Sequence, residues 1–332
     1  VALDPVPWFV GGGAEHSPEV ARLLAYAGTS GAEGIVSVGD LTVEPLAVPG
    51  TAVQVLPGAA LVRNRAAGGD QQTYVARNPV SAQVDVAATG SGAGRSDLIV
   101  LRVEDPNMAG EPWQAPTDPA SGPYVFLRVV SGVPAGTTRL QDVSGYAGQS
   151  AITLARVDVP ASTGTITAGM ITDLRQVAIP RRETRMFTFN PPDERYFNAG
   201  SSAWDGWPLQ GSDSMGLFDQ VEIPEWATHF QAVVSYTGVL AEGNTWGRTR
   251  LLIGDDPQLN VQATFNTPSA GDLIFVMQAA EKGQVPAGLR GVTAPMRLQG
   301  RLDSTSIPAS RGPWSTPYTR VVVQIEFEER AA

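Results

Sequence analysis

The sequence predicts a mainly β fold, with a β-rich N-terminal module that carries one short helix and a C-terminal β-sandwich of the jelly-roll kind. Three observations predict it. Apolar residues come in short runs rich in Val, Ile and Leu, punctuated by the abundant glycine (36) and proline (26) of a 332-residue chain. Only one segment has convincing helical spacing over several turns. There is no cysteine, so no disulfide or thiolate-bound metal staples the chain, and the fold must stand on packing alone. The length allows two domains with proper cores and is too short for three of ordinary size.

Residues 1–34 read as an arm and a helix. Trp8-Phe9-Val10 followed by Gly11-Gly12-Gly13 is an apolar plug on a hinge, an arm that docks either on its own chain or on a neighbour. Ser17 is placed to cap a helix, Pro18 suits its first position and Glu19 its positive end. Val20, Leu23, Leu24 and Ala27 then follow the i, i+3, i+4, i+7 spacing, and Gly28 can end it, which predicts a helix from Ser17 to Ala27.

Residues 35–178 change to strands: Ile35–Val38, Ala52–Val55, Ala60–Val62, the alternating Ser81–Val86, and three longer ones at Asp97–Val103, Tyr124–Val130 and Ala151–Val159. Residues 104–123 form a proline-rich excursion with Trp113 in it, the kind of surface loop that contacts partners. Thr167–Arg175 reads as a helical turn or two closing the domain. Residues 179–184, a proline followed by charges, are the linker candidate. Residues 185–332 carry strand candidates at Met186–Phe189, Asp219–Ile223, His229–Thr237, Thr249–Ile253, Val261–Phe265, Leu273–Gln278, Met296–Arg301 and Arg320–Glu328. About eight strands without a long helix point to a sandwich or jelly roll.

Composition removes several function classes. The net charge is −10, and the longest basic run is Arg181-Arg182, so a phosphate backbone is repelled at long range and nucleic acid is not an expected partner. The apolar stretches are strand-sized, so no membrane insertion is expected. The first residues, VALDPVPWFVGGG, lack the basic and continuous apolar regions of a signal peptide.

Four segments form an ordered set: Leu56-Pro57-Gly58-Ala59-Ala60-Leu61-Val62, then Gly94-Arg95-Ser96-Asp97-Leu98-Ile99-Val100-Leu101-Arg102-Val103, then Ile152–Pro160, then Ile166–Arg175. In that order they resemble the N-terminal region of minor tail and baseplate proteins of siphophages, especially those infecting actinobacteria. The pattern there is a "pGaalv" strand, "R-x-D-L-V-V-L-R", and "I-x-L-A-x-V-x-V-P…I-t-D-x-R". The resemblance implies a structural protein of the virion, made in the host cytoplasm without a signal peptide. It implies a β-rich module joined to other tail-tip or baseplate proteins and to sister copies, a trimer being favoured, and a C-terminal module exposed for host contact.

Chemistry is sparse. The only histidines are His16 and His229, which read as a turn residue and a strand residue, and no G-x-S-x-G elbow or phosphate-binding loop is present. Gly90-Ser91-Gly92-Ala93-Gly94-Arg95 ends in Arg95 and runs into a strand, so it fails the dinucleotide pattern. No catalytic residue, cofactor site or metal site is predicted; Asp255-Asp256 with Asn260 reads as a solvated turn. Trp204, Asp205, Trp207, Asp213, Trp226 and Trp246 are the glycan-contact candidates, because aromatic faces stack on sugar rings and acids accept hydroxyl hydrogen bonds. The same residues also fit tryptophans filling a core with acids solvating its loops. Three functions follow: attachment to host cell-wall glycan, glycan cleavage by a tail-associated depolymerase using an Asp/Glu pair, and a purely architectural tail subunit.

Overall fold

The computed structural model describes residues 10, 12–197, 204–209, 216–242, 245–254, 259–267, 271–303 and 313–331. They fall in two units, one made of Val1–Pro180 with Arg330–Ala332 and one of Arg181–Glu329. The fold is mainly β, and no described helix is long and apolar enough to cross a membrane.

The first unit holds helix α1 (Pro18–Gly28) and strands β1 (Gly34–Ile35), β2 (Val43–Pro45), β3 (Ala52–Val55), β4 (Gly58–Arg63), β5 (Thr73–Asn78), β6 (Ala82–Asp85), β7 (Arg95–Val103), β8 (Val125–Val133), β9 (Ala151–Val159) and β10 (Ile171–Asp173). Their sheets have the orders β1-β4-β5, β2-β3-β6 and β10-β9-β7-β8. Strand β7 is covered on both faces. Ile99, Leu101 and Val103 enter the main core with Val53, Val62 and Val157, while Leu98 and Val100 enter a smaller cluster with Val130, Leu140 and Ala151. Double burial is why its sequence is a continuous apolar run rather than an alternating one.

The helix is capped as expected: Ser17 Oγ accepts from the Glu19 N–H at 3.1 Å. It lies on β5, with the Arg22 guanidinium over the Tyr74 ring at 5.2 Å. Three expectations need correcting here. The strand at Ile35–Val38 stops at Ile35, because Ser37 and Asp40 close a turn in which the Ser37 N–H donates to the Asp40 carboxylate at 3.0 Å. The helical turns expected over Thr167–Arg175 shrink to one 3-10 turn at Ala168–Met170 followed by β10, whose Ile171 packs on the main core while it pairs with Val157 of β9. The boundary between the units falls at Pro180 and Arg181, inside the linker expected at 179–184, but that segment is already strand from Arg182: Arg182, Glu183 and Thr184 pair with Glu328, Phe327 and Glu326. Its charges hid the alternation, since Glu183 and Arg185 sit on one face and neutralise each other at 2.6 Å.

The second unit holds β11 (Arg182–Phe189), β12 (Arg195–Tyr196), β13 (Asp205–Gly206), β14 (Leu217–Glu222), β15 (His229–Ala241), β16 (Thr245–Ile253), β17 (Leu259–Thr267), β18 (Leu273–Gln284), β19 (Thr293–Leu302), β20 (Trp314–Ser315) and β21 (Arg320–Glu328). Without the three two-residue strands, one sheet runs β11-β21-β15-β18 and the other β14-β19-β16-β17. Numbered by position along the chain, these eight strands are ordered 1-8-3-6 and 2-7-4-5, the order of a jelly roll. One core lies between the sheets, with Phe197, Trp207, Tyr236, Met296, Ile325 and Phe327 in it.

Register gives this unit two ends. At the base Arg182, Glu328, His229 and Gln284 lie in one row across the first sheet. There Arg181 enters and Glu329 leaves, joined by a two-nitrogen ion pair at 2.8 and 2.9 Å. At the tip are the opposite strand ends, Phe189, Ala241, Thr245, Thr267, Leu273 and Leu302.

Candidate functional site

Along β16, Trp246, Arg248 and Arg250 alternate with the buried Thr245, Gly247, Thr249 and Leu251, so the first three occupy the outer face of the sheet. Arg301 of β19 stands directly opposite Arg248, and Gln299 opposite Arg250. Like charges facing each other across a strand pair repel. Asp303 offsets this by bridging them, 2.9 Å from Arg248 Nε and 3.2 Å from Arg301 Nη2. On the other side, β17 places Asn266, Thr264 and Gln262 beside Trp246, Arg248 and Arg250.

Trp204 reaches the same face because β13 pairs with Gly300 and Gln299 of β19. Its ring centroid lies 4.1 Å from the Arg250 guanidinium and 5.1 Å from that of Arg301. Asp205 sits 3.2 Å from Arg195 Nη2, and Arg195 Nε donates to the Gly206 carbonyl at 2.8 Å. Arg250 Nε donates to Gln299 Oε1 at 2.8 Å. Burial, with the charge of Arg301 adding to it, pulls Arg250 below the ordinary guanidinium value.

The structure divides the expected glycan-contact residues. Asp205, opposite Gly300, lies on the sheet's other face and pairs with Arg195, but Trp204 and Trp246 belong to this basic, aromatic face toward the tip, and Trp246 is 40% exposed. Trp207 does not: it is 1% exposed, its indole N–H donates to the Arg195 carbonyl at 3.0 Å, and its ring lies 4.4 Å from Phe197. It is a core residue because an indole is large enough to fill the sandwich and its one donor finds a carbonyl there. Trp226 sits at the base, half-buried, with its ring 5.6 Å from the Arg181 guanidinium. Asp213 lies outside the described residues, as do Trp8 and Phe9 of the assembly-arm candidates; Val10 is 45% exposed.

Sequence reasoning missed Arg248, Arg250, Gln299, Arg301 and Asp303. The available signal was Trp246-Gly247-Arg248-Thr249-Arg250, where aromatic and basic residues recur at every second position of a strand. His229 is a strand residue as expected, with Nδ1 3.0 Å from Thr228 Oγ1. Among the described residues no group of three or more His, Asp or Glu is placed to hold a metal ion; Asp255 and Asp256 lie outside them.

No family model matches the chain, and no curated protein matches it either. Among solved structures it is similar to viral coat proteins. One is the structure of infectious bursal disease virus, Gx strain, at 11% identity and a TM-score of 0.26, with 91% of this chain and 74% of that chain covered. Another is the VP2 subviral particle of infectious bursal disease virus, at 13% identity and a TM-score of 0.25, covering 91% and 73%. A third is the coat protein of tobacco streak virus, at 12% identity and a TM-score of 0.22, covering 45% and 88%.

Proposed function

We propose that the protein is a structural, non-catalytic component of a siphophage tail tip or baseplate, and that its jelly-roll unit takes part in attachment to the host surface. What supports the reading is where the segments of the sequence resemblance lie. The arginine–aspartate segment is β7, the segment that follows it is β9, and the last one contains β10; all three are neighbours in the sheet β10-β9-β7-β8. Their charged residues serve that sheet. Arg95 clasps Asp97, and Arg175 clasps Asp173 while also donating to the carbonyls of Val38 and Asp40 at 2.9 and 2.6 Å. Three of the four segments therefore share one sheet, and the first, which is β4 of the sheet β1-β4-β5, joins them through Ala60 and Val62 in the same core.

Attachment in such a protein works by multivalency. Copies held together in a homo-oligomer, with a trimer favoured, convert weak contacts at each tip into strong avidity. The experiment is gold labelling of intact phage particles with antibodies raised against the chain, viewed by electron microscopy. Label at the end of the tail is expected. Label spread over the faces of the head would overturn the tail assignment.

A further inference from the structure

Among the described residues Arg250 has no counter-ion. Its Nε is used by Gln299 and its plane rests on Trp204, but its two terminal nitrogens have no hydrogen-bond or ion-pair partner among the described residues. The side chain is half-buried, so part of its hydration has been given up, and Arg301 stands close enough to repel it. An uncompensated, partly desolvated charge is costly and is relieved by a bound anion. The fork is also pre-shaped for one, because stacking on the indole and the bond to Gln299 hold the guanidinium plane while leaving the end that binds an oxyanion through two nitrogens.

The neighbours narrow the ligand. Arg248 lies two residues away on the same face, with Thr264, Gln262 and Asn266 beside the two arginines and Trp246. Amides and a hydroxyl next to guanidiniums bind a ligand rich in hydroxyl groups as well as charge. Trp246, 40% exposed, offers an apolar ring edge or face at the end of the row.

We propose that the outer face of β16 and β19 is a binding site for an oxyanion-bearing glycan, with Arg250 receiving the carboxylate or phosphate group and Trp246 and the β17 side chains contacting the sugar. This rests on the attachment reading and names its ligand class. It also changes the role of Trp204, which positions Arg250 rather than stacking on sugar.

The test uses the full chain and three immobilised polymers: polygalacturonate, the same polymer fully methyl-esterified, and poly(glycerol phosphate). Binding to polygalacturonate, poly(glycerol phosphate) or both is expected, with none to the ester and weakening as salt rises. The two charged arms distinguish carboxylate from phosphate. Arg250→Gln should weaken binding at least tenfold with an unchanged melting temperature, and Arg248→Gln should weaken it without touching the Trp204 stack. Lys282→Gln, on the other sheet, should change nothing. Equal binding to the ester, no binding to either polyanion, full binding by both arginine variants, or equal binding to a single-stranded oligonucleotide would overturn the proposal. If whole cell walls still bind Arg250→Gln as well as wild type, this site is wrong and attachment stands. If polyanions bind and walls do not, the site stands and attachment is wrong.

Discussion

Arg95 closes on the carboxylate of Asp97, two residues further along the same strand, with Nε 2.7 Å from Oδ1 and Nη2 2.8 Å from Oδ2. Asp97 is 0% exposed, and its Oδ1 also accepts the Gly132 N–H at 2.9 Å. Gly132 is the extra residue where β8 slips register against β7, at φ +72°, a backbone state that glycine adopts without strain. One buried carboxylate thus ties the start of β7 to the bulge in its neighbour. Replacing it with alanine leaves Arg95 and the Gly132 N–H without their acceptor, and breaking a buried pair of this kind costs about 3 kcal/mol. Asp97→Ala should therefore move the unfolding of the first unit to lower urea concentration while the jelly roll unfolds where it did before. An unchanged transition would show that the clasp contributes nothing.

The same unit should be sensitive to acid. Burial alone would raise the carboxyl of Glu104, but hydrogen bonds and charge from Arg128 and Arg102 outweigh it and hold the group below the ordinary glutamate value. Glu33 has the same balance, with Arg65 and Arg139 outweighing its burial. A carboxylate whose folded-state pKa is depressed stabilises the fold above its unfolded value, about 4.3 for glutamate, and that stability is lost as pH falls through the folded value. Glu104→Gln should melt earlier than wild type at pH 7, by a margin that is smaller at pH 3. An equal deficit at both pH values would contradict the sign.

Tyr236 is fully buried beside Trp207, their rings 5.2 Å apart, and its hydroxyl has no hydrogen-bond partner among the described residues. Burial accordingly pushes the phenol far above its usual range. An unsatisfied buried hydroxyl costs about 1–3 kcal/mol, so its removal should help. Tyr236→Phe is expected to raise the melting temperature of the jelly roll; a fall would reveal a partner, such as a buried water, that the hydroxyl needs.

The tryptophans should separate by role. Trp207→Ala empties the sandwich core and should cost about 3–5 kcal/mol, whereas Trp246→Ala, on the exposed face, should change stability by no more than about 0.5 kcal/mol. Urea unfolding of the two variants checks this directly, and equal losses would contradict the placement of Trp246.

How much was legible in the sequence follows from what each residue reports. Strands β3, β9 and β21 were readable to the residue because burial wrote itself as apolar runs or alternation. Strand β5 was not, since Thr73-Tyr74-Val75-Ala76-Arg77-Asn78 is an edge strand with Val75 68% exposed and polar residues on both faces. The start of β11 was hidden for a related reason: Arg182, Glu183 and Arg185 find ion-pair partners in the unit, which looks from sequence like the charge of a linker. At the candidate site, Trp204 and Trp246 stood out by residue type. Which tryptophan faces solvent did not, because Trp204 and Trp207 are three residues apart yet lie on opposite sides of one sheet. The arginine face was half legible, since Trp246, Arg248 and Arg250 alternate along β16, but Gln299 and Arg301 come from β19, a strand remote in sequence that only the pairing brings alongside.

The most direct measurement is binding of the purified full chain to isolated actinobacterial cell walls, with released sugar assayed in the same tubes. Saturable binding without sugar release, reduced by Trp246→Ala and not by Trp226→Ala at the base, is the predicted result. Release of reducing ends would contradict a non-catalytic role and turn the protein into a depolymerase, and no binding to any wall would contradict attachment and leave an architectural subunit.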